Sequence, residues 1–440
     1  ESFTPEGRLA HSTVLVENKL YFFGGYVDNA KTCTNQVFYL DLSQSFNLVA
    51  PSWVSLTQNA AIPFISCWGI TLLNVKEHTI YLFGGFMGND LNQDAVVSNV
   101  HSFNLNSLSW SVPNVEGTPP ERRRSIDGVI DNTGKIYIFG GILDKVLGSP
   151  TNIYYNDMVI LNTAELSWLI IPASKPRAQN SYTATMLSNG VIVYIGGLEL
   201  IEETLRIVDI KTINLFDTKT STWSVKVATA SNVIQNRFRH TAVLAPNGKN
   251  IIIYGGASTF NGITDMQVVP DLFVLNMETE QFEFMVPPVN GQLPPSLTAH
   301  TADIIGNYMI VAFGNITQPN ASPLPLKSSN IYIMDIRNYT WVNSFEIASA
   351  NITTNPDPTT NSSPSIVVAN NSNSDLVTMK IIIASIGGTV GAVIIMACGF
   401  LFYRWNKNKK INEQNPRYIN EEHTLPGNIV EHNSSTYITK

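Results

Sequence analysis

Through residues 1–346, short apolar runs rich in aromatic and β-branched side chains alternate with clusters of Gly, Asn, Asp, Ser and Pro. Runs of this length and composition read as buried strands. No long stretch before residue 376 carries apolar residues at helical spacing, so the pattern predicts an all-β body. Six of the runs end in the same way: Tyr21-Phe22-Phe23, Tyr81-Leu82-Phe83, Tyr137-Ile138-Phe139, Tyr194-Ile195, Ile253-Tyr254 and Ala312-Phe313. Each leads into a glycine doublet: Gly24-Gly25, Gly84-Gly85, Gly140-Gly141, Gly196-Gly197 and Gly255-Gly256, with a degraded copy at Gly314-Asn315. Successive doublets are 60, 56, 56, 59 and 59 residues apart. After 26 to 29 further residues comes an aromatic, at Trp53, Trp110, Trp168, Trp223, Phe282 and Trp341. Two landmarks held in phase six times define six copies of one unit.

Each unit reads as four strands. A third strand lies between doublet and aromatic, as in 37–41, 158–162, 272–276 and 331–335, and ends on Asp or Asn that opens a polar turn. The aromatic begins the fourth. Upstream of the doublet runs the first, as in 11–16, 240–244 and 300–305.

These residues resemble the kelch family, whose repeat has a glycine doublet closing its second strand and a spaced Trp in its fourth. The resemblance covers roughly residues 5 to 346 and implies a six-bladed kelch β-propeller over 1–346, with the surplus length of each unit in loops. One four-stranded sheet cannot bury both faces alone, so sheets pack around an axis and the aromatic is expected to fill the gap between blades. Asn315 is expected to stand in for a glycine in the left-handed region. The pattern is compatible with ring closure by blade packing or by a strand from residues 1 to 7.

The rest of the chain has a different character. Residues 347–378 are rich in Asn, Ser, Thr and Pro and read as an extended stalk. Residues 379–403 read as a transmembrane helix, because Ile381 to Tyr403 is uncharged and long enough to cross the hydrocarbon of a bilayer. Arg404, Lys407, Lys409 and Lys410 come after it, against Lys380 on the other side. That asymmetry places the tail 404–440 in the cytosol and the propeller outside, at the plasma membrane or another membrane of the secretory pathway. Residue 1 is Glu, as in a mature form freed of a signal peptide. The whole resembles kelch-repeat surface proteins of fungi.

Secondary features fit this topology. Asn-x-Ser/Thr sequons occur at Asn315, Asn320, Asn338, Asn351, Asn361, Asn370 and Asn433, and none precedes Asn315. Asn338, Asn351, Asn361 and Asn370 are the expected glycosylation sites. Cys33 and Cys67 are the cysteine pair of the extracellular part, either bridged or present as two buried thiols. Cys398 lies in the span, where Gly387 and Gly391 form a GxxxG that favours weak homodimerisation of the helix. Asn415-Pro416-Arg417-Tyr418 is similar to Asn-Pro-x-Tyr sorting signals read by cytosolic adaptors.

Composition narrows the function. A formal net charge of -7 with only 14% charged residues leaves no basic footprint for nucleic acid. Galactose oxidase places a copper radical site on a kelch propeller, using imidazoles, two tyrosines and a cysteine. His11, His78, His101, His240 and His300 do not directly follow a tyrosine as that motif requires. His11, His240 and His300 instead recur at one place in their repeats, with Arg8 and Arg237 three residues earlier, which points to a structural role. Six-bladed kelch sugar isomerases are a second enzymatic comparison, but no residues here stand out as their acid and base. Glu6, Glu121 and Arg122 to Arg124, near the starts of blades, read as solvated loops. No catalytic residue, metal or cofactor is expected. The expected activity is binding of an extracellular protein or glycan by the dissimilar loops after the doublets: 26–36, 86–98, 142–157, 257–270 and 316–329.

Overall fold

Every aromatic run forms the second of four antiparallel strands that lie side by side in chain order, and in two of the six sheets a linker adds a fifth, parallel strand. The computed structural model describes residues 3–27, 32–89, 98–172, 175–258, 265–317 and 326–347, all within the unit Glu1–Asn361. Blade one comprises Ser12–Val16, Lys19–Phe23, Val37–Asp41 and Trp53–Ser55. Blade two comprises Ile70–Asn74, Thr79–Phe83, Val100–Asn104 and Ser109–Ser111, and blade three Gly128–Ile130, Lys135–Phe139, Met158–Asn162 and Ser167–Ile171. Blade four is Thr183–Met186, Val191–Ile195, Thr212–Asp217 and Thr222–Val227; blade five is Thr241–Leu244, Asn250–Tyr254, Leu272–Asn276 and Glu283–Met285. Blade six is Thr301–Ile305, Tyr308–Ala312, Ile331–Asp335 and Thr340–Val342. The first strand of each blade packs against the first strand of the next, and that of blade six against that of blade one, so six first strands surround a central axis.

The spacing between doublet and aromatic has a packing reason. In four blades the fourth-strand tryptophan reaches the residue in front of the preceding blade's doublet. Trp110 lies 6.0 Å from Phe23, Trp168 5.9 Å from Phe83, Trp223 4.6 Å from Phe139 and Trp341 5.4 Å from Tyr254. In blade five the structure corrects the expected aromatic from Phe282 to Phe284. Phe284 pairs with Leu275 as Trp341 does with Met334, is fully buried and shares a core cluster with Ile195. Phe282 precedes the strand because the turn before it is two residues longer. Aromatic contacts of this kind contribute about 0.5–1.5 kcal/mol each beyond the area they bury, and they recur at successive blade junctions.

Blade six departs from the expected doublet. The two left-handed residues are Phe313 (φ 59) and Gly314 (φ 92), matching Gly255 and Gly256. Asn315 is not the second member: it is buried in the extended pair Asn315–Ile316, opposite Leu297–Thr298. The physical reason is compensation. Ala312 is too small to meet Trp53, and Phe313, one residue later, fills that space at 5.9 Å from the indole. Arg122 to Arg124 also differ from expectation. Arg123 is fully buried, Arg124 pairs with Asp144, and Arg122 donates to the Leu147 carbonyl at 3.0 Å. They are part of the fold because Arg123 repeats the position of Arg8 and Arg237. In all three, Nη1 donates at 2.9 Å to the carbonyl of the first doublet glycine, Gly24, Gly140 or Gly255.

Among the described residues the ring closes by blade packing, and no N-terminal strand joins the sheet of blade six. Beyond blade six, Ser344–Phe345 pairs with Phe46–Asn47 in the turn between the third and fourth strands of blade one. Phe3 lies 5.4 Å from Phe38 of the same blade. Linkers cover outer edges that would otherwise present unpaired backbone. Thr229–Ala230 runs parallel to Glu283–Met285, Asn290–Gly291 parallel to Thr340–Val342, and Glu116 bridges Ser167.

A circuit of six backbone hydrogen bonds surrounds the axis. Ala10, Trp68, Ser125, Ser181, Arg239 and Ala299 occupy equivalent places just before or at the inner strands, with φ between 52 and 63. The amide of each donates to the carbonyl of its counterpart in the preceding blade, over distances of 2.7 to 3.2 Å, and Ala10 closes the circuit on Ala299 at 2.9 Å.

Among the described residues no helix is long and apolar enough to cross a membrane. The expected span 379–403 and tail 404–440 lie outside the described residues, as does the stalk after Ile347.

The glycine doublets of blades one to five should tolerate no Cβ. Gly255 and Gly248 share φ +66, but a Cβ on Gly255 would stand 2.3 Å from the Leu297 carbonyl oxygen, whereas nothing lies within 4 Å of one on Gly248. Chemical denaturation should show Gly248→Ala costing about 1 kcal/mol for the left-handed backbone alone. Gly255→Ala should cost more than about 3 kcal/mol, because backbone of the next blade must move.

Candidate functional site

The six residues of the hydrogen-bond circuit form the rim of a cavity on the axis, about 330 Å³ in volume. Its walls are the first residues of the six inner strands, and they are largely hydroxylic: Ser12, Thr13, Thr71, Thr183, Thr241 and Thr301. The rim faces the same side as the loops after the doublets, since those loops pair with the segments leading into the inner strands. Tyr26–Val27 pairs with Arg8–Leu9, Phe86–Gly88 with Ile65–Cys67, and Leu198–Ile201 with Gln179–Asn180.

Three histidines join blades around this wall. His11 Nε2 meets Thr301 Oγ1 at 2.9 Å, His300 Nε2 meets Thr241 Oγ1 at 2.9 Å, and His240 Nε2 meets Thr183 Oγ1 at 3.3 Å. Each imidazole therefore reaches back to the inner strand of the preceding blade. Burial holds all three below the usual histidine value, His300 at about 3, so they are neutral hydrogen-bonding groups at physiological pH. Among the described residues no group of three or more His, Cys, Asp or Glu is arranged to hold a metal ion.

Two carboxylates complete the wall. Asp127 accepts the amides of Gly128 and of Ala184 in blade four, each at 2.8 Å. Asp303 accepts the Thr13 hydroxyl of blade one at 2.8 Å. Burial pushes each up to about 6, against the usual 3.8, with these hydrogen bonds acting the other way.

At the rim, opposite blades touch. The Arg239 guanidinium of blade five lies 4.7 Å from the Trp68 ring centroid of blade two, and Arg124 of blade three lies 5.9 Å from it. Arg239 pairs with Asp265 at 3.4 Å and Arg124 with Asp144. Trp68 rests on an apolar cluster that contains Leu147, Phe86, Cys33 and Cys67. Cys33 and Cys67 form a disulfide, Cα atoms 5.6 Å apart, linking the rim hairpin of blade one to the segment leading into blade two.

The structure sets the other sequence-predicted residues apart from this site. The doublets and Trp53, Trp110, Trp168, Trp223 and Trp341 lie between blades; Asn338 is exposed in the turn before Trp341. Asn351, Asn361, Asn370, Asn415, Pro416 and Tyr418 lie outside the described residues. Trp68, Arg239, Asp127 and Asp303 did not stand out in the sequence. For the two aspartates a signal existed: each is a lone charge in an otherwise apolar or hydroxylic first strand, Ile126-Asp127-Gly128-Val129 and Ala302-Asp303-Ile304. Trp68 and Arg239 had none, because the place they share is defined by backbone conformation rather than residue type.

The chain matches a family model described as the KLHDC2/KLHL20/DRC7 Kelch-repeats domain over residues 1–197 and 183–374. It is 27% identical over 229 residues to Kelch domain-containing protein 3 of Rattus norvegicus, a match covering 49% of this chain and 56% of that protein. It is 24% identical over 302 residues to Host cell factor of Drosophila melanogaster, covering 62% of this chain and 18% of that protein. The chain thus spans little more than half the length of the kelch-domain relative. The solved structure titled "Structure of YjhT" superposes with a TM-score of 0.55 at 14% identity, covering 77% of this chain and 98% of that one, a likeness of fold alone.

The titratable groups lining the axis give opposing pH effects. The histidines have folded values below 6.5, so their contribution is present above 6.5 and is lost as pH falls. Asp127 and Asp303 have folded values near 6 and a usual value of 3.8, so theirs is full below 3.8 and lost as pH rises through 6. Asp303→Asn should therefore raise the melting temperature at pH 7.5 relative to the wild type and give no gain at pH 4, a comparison made by calorimetry across pH 4–8.

Proposed function

This chain belongs to the kelch-repeat family, and from that premise we propose that it is a cell-surface binding module that recognises an extracellular protein or glycan with its doublet face. One observation carries the reading. The doublet face gathers hairpins of unequal length around a rim set with Trp68, Arg124 and Arg239, whereas the opposite face has mostly tight turns between strands. A rigid ring presenting varied loops and an aromatic flanked by arginines has the composition of an interaction surface. Binding is favoured over a copper radical oxidase because the residues that site would need are committed elsewhere. Cys33 and Cys67 are bonded to each other, and His11, His240 and His300 each hold a threonine of the preceding blade.

The placement outside the cell is part of the proposal. It is supported by the disulfide, by the uncharged run from Ile381 to Tyr403 and the basic residues after it, and by the exposed sequon at Asn338. The remaining assignments, an adaptor at Asn415-Pro416-Arg417-Tyr418 and pairing through Gly387 and Gly391, rest on the sequence.

Two measurements test the reading. Full-length protein expressed in a eukaryotic host should gain mobility on glycosidase treatment, and Asn338→Gln should remove one step of that shift; an unchanged mobility would sink the extracellular topology. Bound to living cells as soluble 1–361, the protein should saturate. Trp68→Ala with Arg239→Ala should abolish that binding, while Lys219→Ala with Thr220→Ala on the opposite face should leave it intact. Equal binding by both well-folded variants would overturn the assignment of the face.

A further inference from the structure

Below the rim, two acidic groups stand on opposite walls of the cavity. Asp127 directly precedes the inner strand of blade three and Asp303 lies within that of blade six, and blades three and six are opposite each other in a ring of six. Both wall positions are set by the fold rather than by flexible side chains. Asp127 is fixed by two backbone amides from two blades, and Asp303 by Thr13 across the seam between blades six and one.

Among the described residues neither carboxylate forms an ion pair. The one arginine among the described residues of the wall, Arg239, is turned toward the rim and pairs with Asp265. The remaining titratable groups on the wall are His11, His240, His300 and Tyr182. The histidines are held neutral, and burial pushes Tyr182 above its usual range, so neither type balances an acid. The interior below Trp68 and Arg239 thus carries two negative charges among hydroxyls. Carboxylates in such a setting gain most from a partner that brings both charge and N–H donors.

A metal ion does not answer this arrangement. The two carboxylates come from opposite walls, and the described residues offer no third ligand grouped with them. An anion would be repelled. We propose that the cavity is a binding site for a small organic dication, a short aliphatic diamine in its chemistry, with one ammonium group on Asp127 and the other on Asp303. The threonine hydroxyls supply further acceptors along its length, and its path from the doublet face passes the Trp68–Arg239 contact. This site uses the walls of the cavity and is independent of the partner surface proposed for the face above it.

Burial holds both aspartates near 6, so a bound dication must be lost as they take up protons below that pH. The test is calorimetric titration of the purified full-length protein with 1,4-diaminobutane at pH 7.5 and pH 5, alongside 1-aminobutane and 1,4-butanediol. The diamine should bind at pH 7.5, the monoamine at least about tenfold more weakly, as expected for loss of one charge-assisted hydrogen bond, and the diol not at all. Asp127→Asn and Asp303→Asn should each weaken the diamine about tenfold, and the shift to pH 5, which protonates both carboxylates, should weaken it in the wild type by more than either substitution alone. Equal binding of diol and diamine would identify a neutral polyol site instead and overturn the proposal. So would the absence of diamine binding at millimolar concentration, or affinity unchanged by pH and by both substitutions. If either variant fails to fold, the pH dependence of the wild type decides.

Discussion

The six blades share one constraint: a closed circuit of amide-to-carbonyl hydrogen bonds through Ala10, Trp68, Ser125, Ser181, Arg239 and Ala299. None of the six is glycine, yet all are left-handed, a conformation that costs an ordinary residue about 1–2 kcal/mol. The cost is offset collectively. Each residue both donates and accepts within the circuit, so no member can relax to extended backbone without breaking bonds to two neighbours. The inner strands leave this circuit at fixed angles, and the rest of each blade is positioned by its inner strand.

A second tier of contacts fixes the blades against one another, and it uses polar groups where a simple repeat would use apolar ones. Arg8, Arg123 and Arg237 are buried in alternate blades, each bonded to the carbonyl of a doublet glycine and lying 4.2 to 4.6 Å over an aromatic ring. His240, His300 and His11 join blades four to five, five to six and six to one. Buried donors of this kind are tolerable because they meet backbone carbonyls and hydroxyls fixed by the sheets, with the Gln36 amide oxygen also accepting from Arg8 and the Asp157 carboxylate from Arg123. They also demand register, since a sheet displaced by one residue would leave an arginine or imidazole unpaired in the interior.

The same division separates the legible parts of the chain from the rest. The strands were legible because apolar runs, doublets and aromatics repeat in phase, and the positions 37–41, 158–162, 272–276 and 331–335 are strands in the structure. The sixth doublet was misplaced by one residue because Asn is the expected substitute for glycine, whereas packing against Trp53 favours Phe313. Arg123 was hidden in a run of three arginines that looks solvated until its offset from Ser125 is compared with that of Arg8 from Ala10. The rim residues were out of reach of sequence reasoning. Their common property is a backbone angle, and ring geometry alone brings Trp68 of blade two to Arg239 of blade five.

The closing seam gives the ring a mechanical direction. The last described pairing, Ser344–Phe345 with Phe46–Asn47, fastens the end of the propeller to blade one, where Phe345 also stacks 5.4 Å from Phe46. Tension arriving from the C-terminal side is therefore borne first by the Ile347–Ser45 hydrogen bond and by a two-residue pair whose Phe345 packs on Phe46 and Tyr308, before it reaches the long strands of any blade. Peeling that pair would load the junction of blades six and one, where His11, Thr13 and Phe313 meet their partners. The junction of blades one and two, by contrast, is held by a covalent bond. A pull applied at Phe345 would open this ring at one seam and leave the neighbouring seam shut.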